Sequence, residues 1–295
     1  MADELDRENL DERCQRDRLN AVKNWLAGHD RWLLVADGLS TIDHLLELLP
    51  SSHTGKLLIT GETHLDHPDL IALDHGPLNP DNAREFLERR SRQAIAPSDE
   101  KIVALFDGCT LSISLAAAYC HATKTELVEF HTRVLQFVEA QVDKSVVPAG
   151  QQVIHGVVDQ SLRHVSATNP AALELMALCA FLAPVGIPLV TLYDGSPFLP
   201  KRLSACVTEP ESLNEALSLL FGLGLIQFED NGLCIHPYIQ ESTRCLLGKE
   251  QEAAWMRTAL RVVYESFPLE SQYLHPIPAC SLLVRHALTT TKLAE

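Results

Sequence analysis

The sequence predicts a small parallel α/β sheet near the N-terminus, followed by a chain that is mostly α-helical. Two short apolar runs, Arg31–Gly38 and Lys56–Thr60, flank a segment with a helical pattern, and this strand–helix–strand order is typical of parallel sheets. From Asn79 onward, apolar residues recur mostly at helical spacing. The exception is an Asn-Gly pair between two short apolar runs at 225–235, which predicts a β-hairpin.

The sheet elements are predicted within residues 1–75. Residues 3–27 are highly charged and carry a partial apolar stripe, so they predict an amphipathic helix. Arg31–Gly38 is too short for a helix and predicts a strand that is buried on both faces. The same signals predict a helix over Ser40–Leu49 that ends at Pro50, a second buried strand over Lys56–Thr60 and a short third strand over Leu70–Leu73.

The later elements follow from helix-start and turn signals. Asn79 and Pro80 suit the cap and the first position of a helix that runs to about Ser91. The other predicted elements are helices over Ser98–Phe106, Thr110–Ala122, Lys124–Ala140, Val153–Val165, Pro170–Phe181, Ser212–Phe221, Gln251–Phe267 and Ala279–Lys292, a linker at Val146–Gly150, and hairpin strands at Leu225–Phe228 and Leu233–Ile235. A helix bundle closed by such a hairpin predicts a winged helix.

Composition limits the classes of function. The net charge of −15 disfavours a nucleic-acid-binding surface, because phosphate contact needs a basic footprint. No apolar run approaches the roughly 18 residues that a membrane span needs, and the acidic N-terminus is not a secretory signal, so we expect a cytoplasmic protein. The eight cysteines contain no C-x-x-C pair, and most of them lie among apolar neighbours, which predicts buried thiols. The polar stretch His64–Asp69 is interpreted as a loop rather than a metal site.

Six motifs occur in an order that resembles one family. They are Arg31–Gly38, Gly55–Thr60, Leu78–Leu87, Gly108–Tyr119, the pair Asn169–Leu175 and Phe181–Pro188, and Ile235–Gln240. Over roughly residues 20–290 this order resembles the NB-ARC proteins, which are signal-transduction ATPases with numerous domains (STAND), and in particular the fungal and bacterial members in which tetratricopeptide repeats (TPR) follow a winged helix. Arg31–Gly38 is similar to their Walker B strand, and Gly108–Leu111 stands where their Gly-Leu-Pro-Leu motif belongs.

The resemblance implies nucleotide-facing positions at Asp37, Thr60, Thr110 and His236. Asp37 stands where the family's aspartate holds Mg²⁺, and His236 stands in the histidine motif that ends the winged helix. Two departures make the set degenerate: Gly61-Glu62-Thr63 replaces the sensor arginine expected after Thr60, and Thr110 replaces the proline that lies against adenine in relatives. The sequence contains no G-x-x-x-x-G-K-[ST] loop.

The missing P-loop affects both the sheet and its ligands. In this family the P-loop strand lies between the two predicted strands, so they must either close up or leave a gap that something else covers; a truncated chain would show the same gap. Backbone donors, a lysine and a Ser or Thr do most of the work of holding a triphosphate. We therefore expect no cofactor and no metal, with ADP or ATP and Mg²⁺ (at Asp37) only if a P-loop is supplied.

The resemblance implies four segments: a partial NB-ARC α/β remnant of the P-loop NTPase sheet (1–75), a helical subdomain (76–145), a winged-helix domain (150–248) and the start of TPR-like helices (249–295). The leading hypothesis is a regulatory or scaffolding module, derived from a STAND NTPase and not catalytic, that acts through protein partners or as a homo-oligomer. One alternative is an ADP/ATP-dependent signalling switch whose P-loop half is missing from this chain. Another is a winged-helix DNA-binding regulator, which the net charge disfavours.

Overall fold

The computed structural model describes residues 16–17, 19–39, 41–50, 54–61, 67–68, 70–73, 75–141, 149–229, 232–267 and 277–294. Two compact units divide the chain after Gly76, one spanning Met1–Gly76 and the other Pro77–Glu295. The prediction of a small parallel sheet followed by mostly helical structure is confirmed. Among the described residues, no helix combines the length and the hydropathy that crossing a membrane requires.

Within its described residues, the first unit contains two helices and two strands. These are α1 (residues 19–28), β1 (Leu33–Ala36), α2 (Asp43–Leu48) and β2 (Lys56–Ile59). The strands are parallel and directly adjacent, with Leu33 opposite Lys56 and Ala36 opposite Ile59, so the two predicted strands close up. The described residues 70–73 form no strand, and that prediction is wrong. Most of the predicted helix before residue 16 lies outside the described residues, as does the tract 62–66.

The predicted burial of the sheet on both faces is also wrong. Leu33, Val35 and Leu58 are 63%, 54% and 47% exposed, whereas the alternate positions along both strands are half-buried. From α1 only Leu26 is buried, together with Trp32, whose indole Nε1 donates to the Leu26 carbonyl at 2.9 Å. An apolar run indicates that a strand can be buried on both faces, but burial also requires helices that cover both faces. The described helices of this two-stranded sheet leave one face uncovered.

The second unit consists of helices and one hairpin. Its elements are α3 (Pro80–Ser91), α4 (Lys101–Leu105), α5 (Thr110–Thr123), α6 (Leu127–Gln141), α7 (Ala149–Thr168), α8 (Pro170–Cys179), α9 (Leu189–Asp194), α10 (Lys201–Thr208), α11 (Pro210–Gly222), β3 (Gln227–Glu229), β4 (Gly232–Cys234), α12 (Pro237–Leu247), α13 (Lys249–Ser266) and α14 (Ile277–Ala294). The two strands are antiparallel, as the Asn-Gly pair predicts. Ala149 and Gly150 belong to α7 rather than to a linker, and the rest of that predicted linker lies outside the described residues.

One apolar cluster extends through the second unit. It runs from Ala83 in α3 to Val263 in α13 and includes the fully buried rings of Phe106, Phe130 and Phe181. Because α7 packs against α5, α6, α8 and α12, the cluster is continuous across the helices on both sides of residues 142–148. The predicted division at 76–145, 150–248 and 249–295 stays a prediction.

A short backbone segment after α8 joins several of these elements. We call Cys179–Ile187 the α8 hub. From α12, Gln240 Nε2 donates to the carbonyls of Cys179 at 2.9 Å and Leu182 at 3.0 Å, and the guanidinium of Arg244 donates to the Ala180 carbonyl. These donors satisfy the Ala180 and Leu182 carbonyls and add a second bond to the Cys179 carbonyl, which also accepts from the Leu182 N–H at 3.2 Å. The α8 hub therefore attaches α12 to α8.

The C-terminal helix is attached to the same segment through His286. Nδ1 of this buried histidine accepts a hydrogen bond from the Ala183 N–H at 3.1 Å, and Nε2 lies 3.0 Å from the Gly186 carbonyl. A carbonyl only accepts, so the pairing requires the neutral tautomer that carries its hydrogen on Nε2. Burial lowers the pKa of His286, the Gly186 hydrogen bond raises it and Arg285 lowers it.

Candidate functional site

Two of the implied nucleotide-facing residues meet at the edge of the parallel sheet. Asp37 follows β1 and Thr60 follows β2, and parallel strands bring their carboxyl ends to one edge. The Thr60 hydroxyl donates to Asp37 Oδ1 and accepts from the Gly38 N–H at 3.0 Å. The Leu39 N–H donates to the Thr60 carbonyl at 2.9 Å. Strand order alone predicts this proximity.

The described contacts of Asp37 close the loop after β1. One carboxylate oxygen is engaged by the Thr60 hydroxyl, and the neighbouring backbone is bonded to the same threonine. In phosphate-binding sites Mg²⁺ takes one or two carboxylates together with phosphate and water oxygens. The described residues hold no group of three or more His, Cys, Asp or Glu side chains with metal-site geometry. The arrangement therefore fits a structural clasp between strand ends.

Replacement of Asp37 by alanine is expected to loosen this clasp without unfolding the chain. The Thr60 hydroxyl loses its acceptor, and an exposed hydrogen bond of this kind contributes about 1 kcal/mol. Amide hydrogen exchange at Gly38 and Leu39 should become faster. In a double-mutant cycle, Asp37→Ala and Thr60→Val should show a coupling of about 1 kcal/mol, because both remove the same bond. Strict additivity of the two changes would contradict the clasp.

The third implied residue, Thr110, lies in the second unit on an open cavity of about 660 Å³. We call this cavity the α3 groove. It is lined by Leu78, Asn82, Glu85, Phe86, Arg89, Arg90 and Thr110. The starts of α3 and α5 are tied together beside it, because the Leu78 N–H donates to the Gly108 carbonyl at 2.9 Å. Gly108 has φ +67°, and a Cβ there would lie 2.3 Å from the Leu78 oxygen, so only glycine fits.

The fourth implied residue, His236, caps α12. Its Nδ1 accepts from the Tyr238 N–H at 3.3 Å, and its ring stacks on the Tyr238 ring with centroids 5.6 Å apart. Accepting that bond requires an unprotonated Nδ1, and burial lowers the His236 pKa. Within the described part of the chain no hydrogen bond joins His236 to Thr110, while Asp37 and Thr60 belong to the other compact unit. The four implied nucleotide-facing residues are therefore divided between the units, with Asp37 and Thr60 in the first and Thr110 and His236 in the second.

Sequence reasoning missed the charged and aromatic residues of the α3 groove. The motif Leu78–Leu87 was interpreted only through the family resemblance. The signal that could have revealed the groove was the arginine-rich stretch 84–92 in an acidic chain.

The buried-thiol prediction is confirmed for Cys120, Cys179, Cys206 and Cys234. Burial raises the pKa of Cys120 and of Cys179 to about 12, which makes both thiols poor nucleophiles.

Comparison with models of known protein families and with curated protein sequences finds no match for this chain. The geometry of the strand-end clasp and of the α3 groove therefore carries the functional conclusions, together with the motif order in the sequence.

Proposed function

We propose that this chain is a regulatory or scaffolding module, derived from a STAND NTPase, that does not catalyse nucleotide hydrolysis. The observation that carries the proposal is the direct pairing of β1 with β2. The Lys56 N–H donates to the Trp32 carbonyl at 2.8 Å, and the Thr60 N–H donates to the Ala36 carbonyl at 2.9 Å. A P-loop strand placed between them, as in the family, would have to break this whole ladder.

The clasp at the strand ends supports the same proposal. Asp37 stands where the family's Mg²⁺-holding aspartate belongs, yet its carboxylate accepts from Thr60. Threonine replaces the adenine-facing proline at position 110, and His236 serves as a helix cap. These residues supply neither the lysine nor the run of backbone donors that holds a triphosphate.

The remaining architecture is compatible with the implied domains. Within 150–248, the hairpin of β3 and β4 follows α11, and Ile187 bridges to Leu233 as a further extended segment, as expected for the wing of a winged helix. In the segment after it, α13 packs against α14, as expected for the start of TPR-like helices. Exposed Leu33, Val35 and Leu58 on the sheet support association with protein partners or with further copies of the chain. A cytoplasmic location belongs to the same proposal.

The expected result of a nucleotide titration is the absence of tight binding and of turnover. Labelled ADP and ATP are titrated into the full chain with and without Mg²⁺, and phosphate release is measured over the same range. Asp37→Ala should leave both measurements unchanged, because there is no activity to lose. Sub-micromolar, Mg²⁺-dependent binding that Asp37→Ala abolishes would contradict the proposal and favour the ADP/ATP switch.

A further inference from the structure

We propose that the α3 groove is a docking site for an acidic peptide segment of a partner protein. The segment places a carboxylate against Arg90 and an apolar side chain against Phe86. This inference rests on the charge and shape of the groove and does not depend on the loss of nucleotide binding.

The shape of the groove follows from the spacing of residues on α3. Asn82, Phe86 and Arg90 are four residues apart and form one stripe along the helix, with Glu85 and Arg89 beside it. Successive positions of the stripe are separated by about 5–6 Å. A volume of about 660 Å³ accommodates several side chains. An extended peptide with an apolar residue and an acid two positions apart spans about 6.6 Å, which matches the distance from Phe86 to Arg90.

Of the two arginines that line the groove, Arg90 has no described charge or hydrogen-bond partner. The stretch 84–92 contains four arginines and two glutamates in a chain of net charge −15. Arg84 donates to Glu100 and to the Ile95 carbonyl, each at 2.9 Å, and Glu88 accepts from the Ile95 N–H at 2.7 Å. For Arg90, no hydrogen bond or ion pair occurs within the described ranges.

The second arginine of the groove is only loosely held. Arg89 pairs with Glu85 at 3.3 Å, and both side chains are well exposed. An exposed pair of this kind contributes little to stability, so a carboxylate from a partner competes with Glu85 at small cost. The guanidinium groups of Arg89 and Arg90 are then both available to the acidic segment. Guanidinium groups favour bidentate pairing with carboxylates.

The apolar half of the groove selects a peptide over a simple anion. Phe86 and Leu78 are half-buried and packed against the core, so each presents an apolar surface beside the arginines. An inorganic anion would leave this surface uncovered. A nucleic acid needs a basic footprint along several phosphates, whereas this groove offers two arginines beside Glu85. An acidic segment with interspersed apolar residues can pair with the arginines and also cover the apolar surface of Phe86 and Leu78.

The test uses the full chain and a fluorescein-labelled peptide with the repeat Leu-Ser-Glu-Ser, in which leucine and glutamate are two positions apart and share one face of an extended strand, with fluorescence anisotropy as the readout. Saturable binding is expected. A matched peptide with glutamine in place of glutamate should bind about tenfold more weakly or not at all, because it cannot pair with Arg90. Arg90→Glu should weaken binding of the acidic peptide by about tenfold or more. Thr110→Trp keeps the charge and narrows the groove, and it should also abolish binding.

Arg257→Glu is the matched control, because Arg257 is an exposed arginine of the same compact unit on a different helix. It should leave binding unchanged, and thermal melts should confirm that all three variants are folded. A peptide with the repeat Leu-Ser-Lys-Ser should bind Arg90→Glu better than the original chain. Equal binding of the acidic peptide by the original chain and by Arg90→Glu would overturn the proposal, as would the absence of saturable binding. Preferential capture of a single-stranded oligonucleotide at the groove would also overturn it.

Discussion

Replacement of Gln240 by methionine is expected to lower the free energy of unfolding by about 2 kcal/mol, since the Leu182 carbonyl is left without a donor and a buried unsatisfied acceptor costs about 1–3 kcal/mol. The Gln240 side chain is buried, and its amide satisfies the carbonyls of Cys179 and Leu182 in the α8 hub. Methionine preserves the volume and removes both bonds. Urea denaturation of the full chain, followed by circular dichroism, measures the change.

Two further variants separate the hydrogen bonds from packing. Gln240→Ala adds a cavity to the loss of the bonds and should cost more than Gln240→Met. Gln251→Met makes the same chemical change at an exposed position of α13 and should alter stability by less than about 0.5 kcal/mol. If Gln240→Met were as stable as Gln251→Met, the α8 hub would not depend on these bonds.

Replacement of His286 by leucine is expected to detach α14 from the α8 hub and to lower stability by about 2–4 kcal/mol at neutral pH, because a buried N–H and a buried carbonyl lose their partners. His286→Gln should restore most of this loss. Its amide oxygen accepts from Ala183 and its amide nitrogen donates to Gly186, as the two ring nitrogens do in the original chain.

The same histidine makes stability depend on pH. Its pKa in the folded chain lies below the ordinary value of 6.5, so between these two pKa values the unfolded chain binds more protons than the folded chain. The contribution is fully present above pH 6.5 and is lost as the pH falls toward the folded pKa. Burial also lowers the pKa of His131, His155 and His236, and these residues act in the same direction.

The share of His286 is measured by comparing variants at two pH values. Urea denaturation at pH 7.5 and at pH 5.5 should show a smaller loss of stability for His286→Gln than for the original chain, because glutamine does not titrate. The difference cannot exceed about 1.4 kcal/mol per pH unit for one proton. Gln251→Met, which changes no titratable group, should leave the pH dependence unchanged. An identical loss in the original chain and in His286→Gln would assign the effect to other groups.

Signals that act within a few residues were predicted correctly from the sequence. Asn79 caps α3, as predicted, by accepting from the Asn82 N–H at 2.8 Å, and α8 begins at Pro170, where a helix was predicted to start. The antiparallel pairing of β3 with β4 also follows the prediction, although β4 already begins at Gly232. Caps and turns are decided by neighbouring side chains and backbone angles, and the linear sequence contains that information.

Predictions that required a partner elsewhere in the chain were less successful. Leu70–Leu73 has strand composition, but the described residues provide it with no neighbouring strand. The short helices α9 and α10 were not predicted, because they lie among prolines and glycines and carry no strong helix signal. They are held by packing, α9 against α13 and α10 against α8. The strands β1 and β2 were expected to be covered on both faces, although apolar composition says nothing about what covers a surface.

The candidate sites divide in the same way. Asp37 and Thr60 each follow a strand that the sequence predicts, and the parallel pairing of these strands brings their carboxyl ends to one edge. The α8 hub depends on bonds between residues 61 and 103 positions apart, from Gln240 to Cys179 and from His286 to Ala183. The α3 groove likewise needs the start of α5 beside α3. Such contacts follow from how helices pack in three dimensions, since a buried donor takes whichever acceptor the packing brings within reach.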